Sequence, residues 1–313
     1  MTTLKRMAKT KLSEGWHLFI DSVKFLFEKP IFLLPIFCSW IVVAAVVLYL
    51  AYYFEFPESV LIGLGYVYGF LFFMTFIISI ANVIMLEFMQ QMESGETISF
   101  AKALKEAFLV DFLKVIPVAA IWAAVWFVVL ILKALTSKKK GKRPSEPSLR
   151  DAARTLGGAE GPSSFFNLGL KMFEKAIRMF IFLALPAITW DNKGPFSAFR
   201  KAFSIMKQHP LQFLTTYTLT GAAAFLMALP LLPIFLLDEI GYVFPDAVWV
   251  IVIIYEGVIW TLGIYLEQMS VGLLYLWHLK WVHHGGSGDL SSVPKPHLLD
   301  TVHELREYPP SQQ

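Results

Sequence analysis

The sequence is poor in charge and in cysteine. Only 16% of its 313 residues are Asp, Glu, Lys or Arg, against about 25% in a typical soluble domain. That scarcity excludes a water-soluble enzyme, a disordered chain and a nucleic-acid binder. The single cysteine, Cys38, excludes an intrachain disulfide and a thiolate metal site. No Gly-x-Ser-x-Gly elbow, phosphate loop or dinucleotide fingerprint occurs. His278, His283, His284, His297 and His303 match no zinc spacing, and His303-Glu304 lacks the second histidine of a metalloprotease motif. The expectation is no catalytic residue, no metal, no cofactor and no enzyme. No cleavable signal peptide is expected either, because the first apolar run starts near residue 31 and is too long for one.

What fills the sequence is apolar. Hydrophobic residues make up 56% of it, 28 of them Phe, at a mean hydropathy of +0.59. They fall into runs of bilayer-crossing length, expected at 31–54, 60–86, 116–135, 174–190, 211–237 and 247–277. The fold class is therefore all-α, a polytopic bundle of six spans in one membrane domain, 1–284. A basic flexible loop, 136–165, and a tail, 285–313, complete it.

Charge location orients the bundle. The first thirty residues carry six Lys and Arg, whereas the 54–60 and 238–246 turns carry none and hold Glu55, Glu58, Asp238, Glu239 and Asp246. Both termini are thus expected on the cytoplasmic side of a prokaryotic inner membrane. The 136–165 loop, with Lys138, Lys139, Lys140, Lys142 and Arg143, breaks the pattern. Either it is translocated regardless, or segments three and four dip in and return. The fourth is the weaker span, because Lys175, Arg178 and Pro186 interrupt it.

Three connections read as amphipathic helices lying in the cytoplasmic interface. In the first, Leu12, Trp16, Phe19, Ile20, Val23, Leu26 and Phe27 form the apolar face. Ser13, Glu14, His17, Asp21, Lys24 and Glu28 form the other, where Leu18 and Phe25 intrude. In the second, Phe100, Leu104, Ala107 and Phe108 oppose Lys102 and Lys105. In the third, Phe196, Phe199, Phe203 and Met206 oppose Arg200, Lys201 and Lys207. Lys102, Lys105, Arg200 and Lys201 are placed to meet anionic headgroups. Pro30, Pro117 and Pro210 stand near the joins to the following spans, so three repeated helix-plus-hairpin units are one reading of the order. Amphipathic connections of the kind any multispan protein has are the other.

Ionisable groups within spans call for a functional reading first. Glu256 and Glu267 are eleven residues apart, roughly 1100° of helix rotation and so nearly one face, with Gly263 between them. That face could line a polar path; the plainer alternative is a protonated side chain bonded to a carbonyl. Asn82, Glu87 and Gln90 could join the same interior. Asp191 is expected to cap the helix that follows it. Gly65, Gly69 and the small residues Gly221 to Ala224 favour close helix contact.

The run Leu185-Pro186-Ala187-Ile188-Thr189-Trp190-Asp191-Asn192-Lys193-Gly194-Pro195, followed by Ala198, Lys201, Ala202 and Ser204, resembles a prokaryotic family of six-span integral membrane proteins grouped as a domain of unknown function. Gly15-Trp16, Pro35, Ala81-Asn82 and Gly95 are similar to that family too. The resemblance covers most of 12–284, departs at the basic insert and the tail, and implies a six-helix fold with no assigned activity.

The leading expectation is a non-enzymatic protein that organises or senses lipids or acts as a scaffold. Its partners would be membrane lipids and a protein reached through the tail, where Leu298, Leu299, Val302 and Leu305 make a short amphipathic helix that docks on the cytoplasmic face or on a partner, disorder being the alternative. A small transporter or channel with a path along Glu256 and Glu267 is the alternative. An enzyme acting on a lipid headgroup is a weaker one.

Overall fold

The computed structural model describes residues 2–55, 57–93, 95–136, 150, 153, 165–286 and 290–293. Every regular element among them is helical, as lipid demands of a spanning chain whose backbone groups must pair within their own segment. In order they are α1 (Thr2–Glu28), α2 (Leu34–Tyr53), α3 (Val60–Glu93), α4 (Phe100–Glu106), α5 (Phe112–Thr136), α6 (Phe165–Thr189), α7 (Pro195–Gln208), α8 (Pro210–Ala228), α9 (Leu232–Glu239) and α10 (Asp246–His283). Most of the basic loop, and the tail residues expected to form a helix, lie outside the described residues.

Among the described residues five stretches are long and apolar enough to cross a membrane: Pro30–Val47, Val60–Met92, Phe100–Lys133, Pro210–Glu239 and Asp246–His283. The apolar runs predict six. The missing one is α6, which has 25 residues but carries Lys171, Glu174, Lys175 and Arg178 within its first fourteen.

The proline joins differ from one another. Lys29 (φ −134°, ψ 65°) breaks the chain between α1 and a short 3-10 turn opened by Pro30. His209 (φ −123°, ψ 52°) likewise separates α7 from α8, which opens on Pro210. Pro117 marks no break: it lies inside α5, and α4 runs into α5 through a π turn at Ala107–Asp111. The second amphipathic stretch is therefore continuous with its span.

The two ends of the bundle are built differently. In α10 every residue from Ile264 to Lys280 is buried, and in α3 every residue from Ile78 to Met89. A helix apolar and covered all round is the centre of a core. These halves, with Ile181–Ile188 of α6, are collared by α1, α4 and α7. Leu290 and Val293 close over the same end, and the Trp277 indole donates to Val293 O (3.2 Å). At the opposite, splayed end Val60, Leu61, Val243 and Ile251 are exposed.

The collar helices dock by a face rotated from the one that periodicity singles out, sharing only part of it. Gly15, Leu18, Ser22 and Phe25 of α1 are buried, while Leu12, Trp16 and Phe27 are exposed. In α4 and the π turn Ala103 and Ala107 are buried and Phe108 exposed; in α7 Ala198, Ala202 and Ile205 are buried, and Phe196 and Phe203 exposed. Small residues let backbones approach closely, and Gly15, Ala103, Ala107, Ala198 and Ala202 lie at the centre of these contacts beside Leu18, Phe25 and Ile205. At Gly15 an added Cβ would meet Thr215 Cβ at 2.5 Å. Leu12, Trp16, Phe27, Phe108, Phe196 and Phe203 are left facing outward, while Phe19, Val23, Leu26, Phe100, Phe199 and Met206 are half-buried against the core.

A candidate polar cavity between α6, α8, α9 and α10

α10 aims the candidate residues because its rotation is fixed by contact with α2. The Trp40 ring lies where a Cβ on Gly257 would stand, 2.2 Å from it, so only glycine fits there. With Gly257 held under Trp40, Glu256, Trp260, Gly263 and Glu267 share the lining of a cavity of about 430 Å³. Arg178 of α6, Phe225 of α8 and Phe235 of α9 form its other walls. The volume is in the range of small-molecule sites. Phe225 and Leu232 are exposed, so the cavity opens beside them on the flank of the helices.

The two acids of the stripe have opposite surroundings. Arg178 holds Glu267 with both prongs, Nε donating to Oε2 (2.6 Å) and Nη2 to Oε1 (2.8 Å). Lys175 lies 3.7 Å from Glu267 Oε1 and donates to Tyr217 O at 2.7 Å. Its ammonium occupies the space over Gly221, 2.8 Å from where a Cβ would be. Gly221 thus serves as a seat for a cation as well as a point of helix contact. Farther along α6, Glu174 pairs with Lys133 at 2.7 Å.

Glu256 has no such company. It is nine-tenths buried, and neither carboxyl oxygen has a hydrogen-bond partner. The plain alternative of a side chain bonded to a neighbouring carbonyl is not the arrangement found.

The remaining expected site residues lie elsewhere. Asn82 is buried in α3 and donates to Ile78 O of its own helix (2.8 Å). Glu87 is buried near Glu106 and Asp111 at the collared end. Neither lines the cavity, so the single interior site divides in two. Asp191 is not a cap. The residue before α7 is Gly194, which offers no side chain, and Asp191 instead accepts from the Tyr275 hydroxyl (2.7 Å). It belongs to the reversal that ends α6, where Asn192 takes φ +52°. Lys102 pairs with Glu96, whereas Lys105 and Arg200 are exposed. Lys201 is half-buried, and burial pushes its ammonium pKa down.

No protein-family model, curated protein or solved structure matches this chain.

Sequence reasoning passed over three of its parts. Arg178 and Lys175 counted only as blemishes in the fourth apolar run; two cations three residues apart facing one acid in another span were the available signal. Trp40 gave none. Away from the cavity, His209 is buried with its Nε2 3.1 Å from His278 Nδ1 and its ring edge-on to Trp281. Burial pushes its pKa down to about 4, with Lys11 adding to the effect, so the imidazole is neutral at pH 7. Among the described residues no group of three or more His, Cys, Asp or Glu is placed to hold a metal.

Proposed function

We propose that this is a non-enzymatic protein of the prokaryotic inner membrane that takes an amphipathic molecule from the bilayer into the cavity between α6, α8, α9 and α10. The observation that carries this reading is Glu256, a buried acid with neither oxygen partnered, in an otherwise mainly apolar recess open toward lipid. A polar group in such a place is costly unless something meets it. A through-path along Glu256 and Glu267 has less support, because α10 beyond Glu267 is packed on every side.

In this reading α6 is the sixth crossing, as in the resembling family. Its 25 residues span about 37 Å, and its charges cross because Glu267 and Lys133 partner them. Six crossings leave both termini on one side. The collared end is the cytoplasmic one, in keeping with the six Lys and Arg of the first thirty residues.

A second role, sensing or organising lipid, is favoured by the outward faces of the collar. Trp16, Phe27, Phe196 and Phe203 are exposed on helices that also expose Lys24, Arg200 and Lys207, the composition of a surface resting on anionic lipid.

Native mass spectrometry of the full chain released from a mild detergent tests the first reading. A Cβ at Gly263 meets nothing within 4 Å, so Gly263→Phe fills the cavity. The wild type is expected to carry a bound amphiphile that this variant loses. A bare wild type, or an adduct indifferent to Gly263→Phe, overturns the reading.

A further inference from the structure

Resting on that reading, we infer that the amphiphile is a monocation: an alkyl or lipid-like chain ending in an ammonium group that pairs with Glu256. Three features of the cavity select this head. The first is the acid itself, whose two oxygens are both acceptors when ionised and both lack a donor. An ammonium supplies N–H donors and the compensating charge together.

The second is aromatic. Trp260, one helical turn after Glu256, and Phe225 and Phe235 on the facing helices share its lining. A carboxylate among aromatic side chains is the composition that recognises ammonium heads, because the ring faces attract cations. The third is the polarity of the cavity from end to end. Its inner limit is the Arg178–Glu267 pair with Lys175 beside it, two cations against one acid. An anionic head would be drawn there and would leave Glu256 unmet. A cationic head is repelled from that end and stays at Glu256, with its chain lying sideways past Phe225 toward the bilayer.

The depth is consistent with an alkylamine. Glu256 is ten residues after the start of α10, about 15 Å along the helix and near the middle of a hydrocarbon core about 30 Å thick. A short neutral head could reach that depth at lower cost, but it would leave the acid uncompensated.

Competition binding tests the inference on the full chain in phosphatidylcholine nanodiscs. The probe is a dansyl-tagged alkyl chain ending in a free primary amine, read by energy transfer from tryptophan, with empty nanodiscs as the baseline. Dodecylamine is expected to displace it at a concentration about tenfold or more below that needed for dodecanol, with dodecanoate weakest; a tenfold preference is about 1.4 kcal/mol. Glu256→Gln, checked for an unchanged melting temperature, is expected to erase the preference. Trp260→Leu is expected to reduce it while leaving the acid in place, which keeps the test open should Glu256→Gln fail to fold. Equal displacement by dodecylamine and dodecanol, with both abolished by Gly263→Phe, would overturn the ammonium head and leave the amphiphile cavity standing. Displacement by neither, or binding untouched by Gly263→Phe, would overturn both.

Discussion

Arg178 and Glu267, 89 residues apart in sequence, face each other with two parallel hydrogen bonds of 2.6 and 2.8 Å. They tie α6 to α10 at the inner limit of the cavity. The planar guanidinium matches the carboxylate in a way one lysine does not, and Lys175 at 3.7 Å is a poor substitute.

Losing one partner of this pair is predicted to cost more than losing both. Breaking a buried ion pair strands a charge, at about 3–5 kcal/mol, whereas replacing both members with apolar residues is often near neutral. Arg178 retains 28% side-chain exposure, so the lower end applies. Arg178→Met should destabilise the protein by about 3 kcal/mol, and Arg178→Met with Glu267→Leu should recover most of that. Denaturant unfolding of detergent-solubilised protein measures both. A double variant as weak as the single one would mean that Glu267 has a role Arg178 does not account for.

The disputed basic loop is predicted to lie on the side of the acidic 238–246 turn. Arg150 Nε stands 2.8 Å from Asp238 Oδ1, and Ala153 is buried beside Leu231 and Trp249, so this part of the loop shares the splayed end. In a Cys38→Ser background, Arg150→Cys and Gly241→Cys should react with an impermeant maleimide from outside intact cells. Phe196→Cys should react only in inverted vesicles. Labelling of position 150 together with position 196 would be incompatible with six crossings.

Stability is predicted to fall with acidity because of His209. The folded imidazole stays neutral down to about pH 4, whereas the unfolded one takes up its proton near 6.5. The unfolded state therefore binds more protons between those values, and stability is lost as pH drops through the window and levels off below it. The gap corresponds to about 3 kcal/mol. His209 is packed against His278 and Trp281, with Lys11 acting on it electrostatically. Melting temperatures between pH 7.5 and 4 should decline for the wild type and decline less for His209→Gln; parallel curves would refute the assignment.

Much of this architecture could be read from residue order. Five helices of membrane-crossing length among the described residues follow from apolar runs, and the Glu256–Gly263–Glu267 stripe follows from helical period alone, since residues eleven apart return to one face. Other features could not be read that way. A periodicity argument takes the bulkiest apolar residues as the buried face, but α1, α4 and α7 meet their neighbours most closely through Gly15, Ala103, Ala198 and Ala202, with Leu18, Phe25 and Ile205 buried beside them. In lipid there is no reason for Trp16 or Phe203 to turn inward. The pairing of Arg178 with Glu267 is a long-range choice of partner, and charge that disqualifies α6 by composition is what joins it to α10. Asp191 looked like a cap because Gly-Pro follows it; its partner, Tyr275, is 84 residues away.

The unequal ends of α10 give the molecule a mechanical character. Clamped on all sides from Ile264 to Lys280, the helix is held toward Asp246 by a smaller cluster, in which Trp249 and Val252 pack with Leu231 and Phe235, by Trp40 on Gly257 and by the Tyr255 hydroxyl on Met227 O (2.9 Å). It is a rod gripped in a vice at one end and strapped at the other, so any bending load on α10 would fall between the two holds, beside Glu256 and Trp260, and would leave the gripped half in place.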